Sequence, residues 1–156
     1  MNSINNIILP ETVLRDTFKV FRDYGNHFLE ACALWVGVDS KDIFYIKEVW
    51  FPPQENSMID YYVSDIDVHM INVKLNKKNY SAIAQLHTHP NGAFHSCIDD
   101  EFPILTLPGS LSIVIPDFAN LPIKSSLNEM VVYRLIFNEW KLQSKKEVKI
   151  LFKIVE

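Results

Sequence analysis

Apolar residues fall at helical spacing early in the chain. Leu14, Phe18 and Phe21 line one face of a segment that opens at Pro10 and Glu11 and runs to Tyr24. Proline suits a first helical turn and Gly25-Asn26 is a stop signal, so the pattern predicts an amphipathic helix docked on a core. The pattern then changes. Ala31 to Val36 is a short apolar run ended by Gly37, and Ile43 to Phe51 follows the polar turn Asp39-Ser40-Lys41-Asp42. Two such runs predict strands paired as a hairpin. Pro52-Pro53 ends the second strand, and Gln54 to Asp60 reads as loop.

Helical spacing returns from Ile66 to Leu75, where Val68, Ile71 and Leu75 share a face and Lys77-Lys78-Asn79 closes the segment. Ser81 to His89 reads as a strand, Ser96 to about Leu105 as a short helix, and Leu111 to Ile115 as a strand stopped by Pro116. Met130 to Leu142 and Val148 to Val155 are rich in β-branched and aromatic residues. They flank a charged turn around Ser144-Lys145-Lys146, which predicts an antiparallel hairpin. Helices and strands alternate without a clean βαβ series. The expected class is α+β (mixed α/β), a central mixed, mainly antiparallel sheet flanked by helices.

Composition narrows the partners. The 156 residues make one average domain, spanning 1–156, and 48% hydrophobic with 22% charged residues is a globular balance. A net charge of -4 argues against binding a nucleic-acid backbone. No run approaches a membrane span, and the first ten residues lack a cationic leader, so the expected location is cytoplasmic without a membrane partner. Cys32 and Cys97 are too few for a disulfide framework or a thiolate zinc cage.

The chemistry concentrates in Gln85-Leu-His-Thr-His-Pro-Asn-Gly-Ala-Phe-His-Ser-Cys-Ile-Asp-Asp-Glu101. His87 and His89 are two apart on a predicted strand, so both imidazoles emerge on one side and can share a ligand. Imidazole pairs suit zinc, but a catalytic zinc needs a third protein ligand and an open fourth position. Pro90 and Asn91-Gly92 let the chain reverse and bring Asp99 or Asp100 beside the strand end. Ser96-Cys-Ile-Asp99 alone reads as a capping box, although Ser96 can also donate toward a charged intermediate. An isolated pair of histidines arises often by chance.

Taken together, His87-x-His89-Pro90 followed by Ser96-x-x-Asp99 resembles the signature of the JAMM (MPN+) zinc metalloproteases. It looks most like compact bacterial members associated with ubiquitin-like conjugation systems. The resemblance covers most of the chain and implies an MPN/JAB, cytidine deaminase-like architecture. It also implies one catalytic zinc ion held by His87, His89 and Asp99. Ser96 would support the tetrahedral intermediate, and a glutamate before the first strand, Glu30, would be the general base. Six residues separate His89 from Ser96; counting the commoner seven would select Asp100. Glu48 is a rival base inside the second strand. His95 would line the site or pack, and His27 and His69 would have no metal role.

The implied activity is hydrolysis after the C-terminal tail of a ubiquitin-like protein, by deconjugation or precursor processing. Activating and conjugating enzymes would be its associates. The competing readings are a catalytically silent scaffold that binds a protein partner, and a hydrolase of sulfur-carrier tails or small amides.

Overall fold

The computed structural model describes residues 4–94 and 103–156. Strand β1 (Asn6–Pro10) leads directly into helix α1 (Glu11–Gly25), whose buried face is Val13, Leu14, Thr17, Phe18 and Phe21. Strands β2 (Cys32–Ser40) and β3 (Ile43–Trp50) form the expected hairpin, turned tightly at Lys41 with a positive φ of 59°. A bulge between Val36 and Gly37 is made possible by the missing side chain. A Cβ on Gly37 would stand 2.0 Å from the Tyr45 carbonyl oxygen.

A short ribbon follows, β4 (Glu55–Asn56) paired antiparallel with β5 (Tyr61–Tyr62). Helix α2 (Asp65–Lys78) starts at Ser64, whose hydroxyl accepts from the Asp67 N–H, and ends at Asn79 in the left-handed conformation. Strands β6 (Ser81–Thr88) and β7 (Leu111–Ile115) run parallel. A short helix α3 (Ser126–Glu129) precedes the antiparallel pair β8 (Val131–Ile136) and β9 (Glu139–Leu142). Helix α4 (Lys145–Leu151) then runs into β10 (Phe152–Val155).

One eight-stranded sheet carries the fold, in the order β10-β1-β3-β2-β6-β7-β8-β9. Four of its ladders are antiparallel, and β1–β10, β1–β3 and β6–β7 are parallel. Each face has its own core. Leu14, Phe18 and Phe21 of α1 and Val148 and Leu151 of α4 pack against Ala33, Trp35, Phe44 and Leu86. On the other face Ile71 and Leu75 of α2 pack against Leu34, Val36, Trp50 and Ala82. The sheet is therefore mixed and flanked by helices.

Two expectations are corrected. The C-terminal hairpin does not join Met130–Leu142 to Val148–Val155. It turns at Phe137 and Asn138, both with positive φ (49° and 62°), as a two-residue reversal requires. The run from Val148 is helical because Ser144 and Glu147 form a reciprocal capping box, and Val148 and Leu151 then face the core one helical turn apart. Only its last four residues are a strand, and β10 pairs with β1 rather than with β8. The expected helix from Ser96 lies mostly outside the described residues, and 103–105 are irregular. No described helix is long and apolar enough to cross a membrane.

Candidate metal centre

The C-terminal ends of the parallel strands β6 and β7 meet the N-terminal end of β2 at one rim of the sheet, where open α/β sheets place their ligands. Cys32 pairs with His87 across the antiparallel ladder. The ladder continues outward, since the Thr88 N–H donates to the Ala31 carbonyl (3.1 Å) and the Ala31 N–H donates to the Thr88 hydroxyl (3.1 Å). By that register Glu30 stands level with His89. Side chains alternate faces, so Glu30, Cys32, Gln85, His87 and His89 all lie on the face covered by α2. Leu34, opposite Gln85, belongs to the α2 core.

The two imidazoles converge. Their Nε2 atoms are 3.1 Å apart and the ring centroids 4.9 Å. His87 is fully buried and His89 nearly so. Tyr61 of β5 lies against the His87 ring at 5.5 Å, and the Phe94 ring meets His89 edge-on at 4.9 Å. The backbone of His89 is clamped on both sides. Its N–H donates to the Ile115 carbonyl (3.0 Å), and its carbonyl accepts from the Phe118 N–H (2.9 Å).

That clamp depends on an unusual turn after β7, in which Asp117, Phe118 and Ala119 all have positive φ. Three consecutive non-glycine residues in this region are strained and persist only where neighbours hold them. Arg22 of α1 does so, donating through Nε to the Ala119 carbonyl (2.8 Å) and through Nη2 to the Leu121 carbonyl (2.5 Å). The helix end lies so close that a Cβ on Gly25 would be 2.4 Å from the Phe118 Cβ.

Glu30 is 5% exposed, an unusual position for a carboxylate outside a site. Its backbone is held on both groups. The N–H donates to the Ser57 carbonyl (2.8 Å), and the carbonyl accepts from the Asn56 side-chain amide (2.8 Å). Glu48 sits elsewhere. It pairs on the ladder with Val36, four residues or about 13 Å along β2 from the Cys32–His87 pair. There it accepts from the Trp50 indole N–H (2.7 Å) and from Lys78. The hydrogen bonds from Lys78 and Trp50 hold its carboxyl below the usual range. Glu48 is thus a half-exposed ion-pair partner.

His27 and His69 are exposed, on the turn after α1 and on α2. Trp50 and Phe51 are core residues. Lys74 lies 4.0 Å over the Trp50 ring, and Phe51 packs edge-on with Phe21. Ser96, Asp99 and Asp100, with His95 and Cys97, lie outside the described residues. Among the described residues no group of three or more His, Cys, Asp or Glu could hold a metal ion. The histidine pair fits such an ion nonetheless. Two nitrogens on one tetrahedral zinc, each at about 2.0–2.1 Å, stand roughly 3.3 Å apart. Gln54 and Asn56, which brace this rim, sit in the stretch Gln54–Asp60 that reads only as loop, and Tyr61 follows it; no periodic signal singles any of them out.

A mixed sheet flanked by helices, with a buried histidine pair at its rim, defines a class of domain, and two solved structures share the fold. A Desulfitobacterium hafniense protein matches with a TM-score of 0.67 at 15% identity, over 96% of this chain and 93% of that one. A JAB1/MPN domain protein from Archaeoglobus fulgidus matches with a TM-score of 0.52 at 16% identity, over 96% and 98%. No family model matches the sequence. A probable metalloprotease (y4jG) of Sinorhizobium fredii is 32% identical over an alignment of 139 residues that covers 86% of this chain and 85% of that protein. The chain belongs to this metalloprotease family, and its fold is that of a JAB1/MPN domain.

Proposed function

We propose that the protein is a zinc-dependent peptidase or isopeptidase that cuts after the C-terminal tail of a ubiquitin-like protein. The observation that carries this reading is the convergence of the His87 and His89 Nε2 atoms on the same sheet face as the buried Glu30. In this reading His87, His89 and Asp99 hold the ion. A bound zinc supplies an acidified water and a Lewis acid for a carbonyl oxygen.

Glu30 takes the proton from the attacking water and returns it to the departing amine, a role that suits a carboxylate shielded from bulk solvent. Ser96 donates to the oxygen that gathers charge. Tyr61 and Phe94, packed on the two imidazoles, fix ring orientation and exclude water. No nucleophilic thiol is required, so Cys32 and Cys97 are bystanders. The β4–β5 ribbon beside His87 offers a strand edge to an extended tail.

Calorimetric titration with zinc is expected to show one tight site in the wild type and its loss in His89→Ala. Glu30→Gln is expected to bind zinc as the wild type does, yet to leave a C-terminally extended ubiquitin-like protein uncut. Cleavage of short peptides and small amides at the same rate as the full-length carrier would move the substrate assignment to small amides. Full turnover by Glu30→Gln would remove the base.

A further inference from the structure

β3 stops pairing with β2 at Leu34 and Trp50, and Pro52-Pro53 then carries the chain off without a single N–H to donate. The β2 backbone continues outward through Cys32 to Glu30 with its polar groups on the side β3 has left. Buried backbone groups of this kind must find partners. Side chains supply them. Gln54 accepts from the Cys32 N–H (2.7 Å) and donates to the Cys32 carbonyl (2.9 Å), so its amide takes the place of a peptide unit of the missing strand. It also donates to the Pro52 carbonyl (3.1 Å). Asn56 donates both to the Glu30 carbonyl (2.8 Å) and to the Gln54 amide oxygen (2.9 Å).

We infer that Gln54 and Asn56 are positioning residues that set Glu30 against the histidine pair. The inference rests on the reading of Glu30 as the general base. Two side-chain amides and the Ser57 carbonyl satisfy the backbone of residues 30 and 32 as a longer β3 would. Unlike a longer strand, they bring the β4–β5 ribbon to the rim and with it Tyr61, which lies on His87. One short segment therefore braces the backbone of the acid–base residue and packs on one of the imidazoles. Neither amide touches the reacting atoms in this arrangement; both act through Glu30.

The test uses the full chain with zinc, and a ubiquitin-like protein carrying a fluorogenic amide on its C-terminal tail. Gln54→Met and Asn56→Ala are expected to lower kcat by about tenfold to a hundredfold, the scale of a small misplacement of a catalytic group. KM and zinc affinity should stay within about twofold, the split expected when an effect is confined to the transition state. Hydrogen exchange needs no substrate. In Gln54→Met the Cys32 amide is expected to exchange about tenfold faster while amides of the β6–β7 core keep their protection.

Wild-type kcat and unchanged exchange in both variants, with Glu30→Gln inactive, would overturn the positioning role and leave the base assignment standing. Full turnover by Glu30→Gln would remove the base and this inference with it. Loss of zinc affinity in step with lost thermal stability would mark a general structural role and also overturn it. Should Gln54→Met fail to fold, Asn56→Ala, which keeps the Gln54–Cys32 pair, carries the test.

Discussion

Trp35 shows at the scale of one residue how this core tolerates polarity. Its indole is fully buried, and Nε1 donates to the Thr17 hydroxyl at 3.0 Å; that hydroxyl in turn donates to the Val13 carbonyl at 2.7 Å. A helix thus satisfies a strand tryptophan through one side chain, with no water needed. Thr17→Val keeps the volume but strands the indole N–H, and is expected to cost about 1–3 kcal/mol, the usual penalty for an unpaired buried donor. Urea denaturation checks this, and an unchanged midpoint would show that the indole finds another acceptor. The histidine pair is the same lesson with another purpose. On the α2 face Gln85 and His87 of β6, and His89 just beyond it, succeed one another toward the rim.

Among elements, the most consequential contact joins α1 to the turn after β7. Arg22 and the bare Cα of Gly25 let Phe118 close over the helix end, and the Phe118 N–H then holds the His89 carbonyl. Glycine to alanine in a helix normally stabilises. Here Gly25→Ala is expected to destabilise by about 1–3 kcal/mol through overpacking, and to weaken zinc binding because the displaced turn anchors His89. Phe118→Gly removes the opposing Cβ and relieves the left-handed strain. The double variant is therefore expected to be more stable than the sum of the single losses predicts, as denaturation of all four forms would show.

Elements also explain what could be read in the chain beforehand. α1, α2 and β2, β3, β6 and β7 follow from periodicity because their apolar positions face a core in the simple way. The C-terminal region does not, because β-branched residues from Val148 suggest a strand while the Ser144–Glu147 capping box selects a helix. Phe137-Asn138 also lacks the glycine that usually marks a tight reversal. β1 is too short to show alternation, and its partners are distant in sequence. The histidine pair is legible from two-residue spacing. That Glu30 stands level with it, while Glu48 lies four residues further along the same face, is legible only once the β2–β6 and β2–β3 registers exist. The roles of Gln54 and Asn56 depend on where β3 stops, which no local pattern encodes.

Across the whole molecule, an ion bound only by the folded chain adds its binding energy to stability. At a hundredfold excess over its dissociation constant that is about 2.7 kcal/mol. For a chain of this size zinc is expected to raise Tm by about 5–10 °C. Chelation should reverse the rise, and His87→Ala should abolish it. An identical Tm with zinc and with chelator would argue against a site in the native fold. The rim carrying the histidines is one end of the sheet. The tight reversals at Lys41 and at Phe137-Asn138 lie at the other, beyond Ser40 and Ile136, where Phe137 is 93% exposed. A fluorophore, an affinity tag or a tether to a sensor chip attached there would leave the working rim facing free solution.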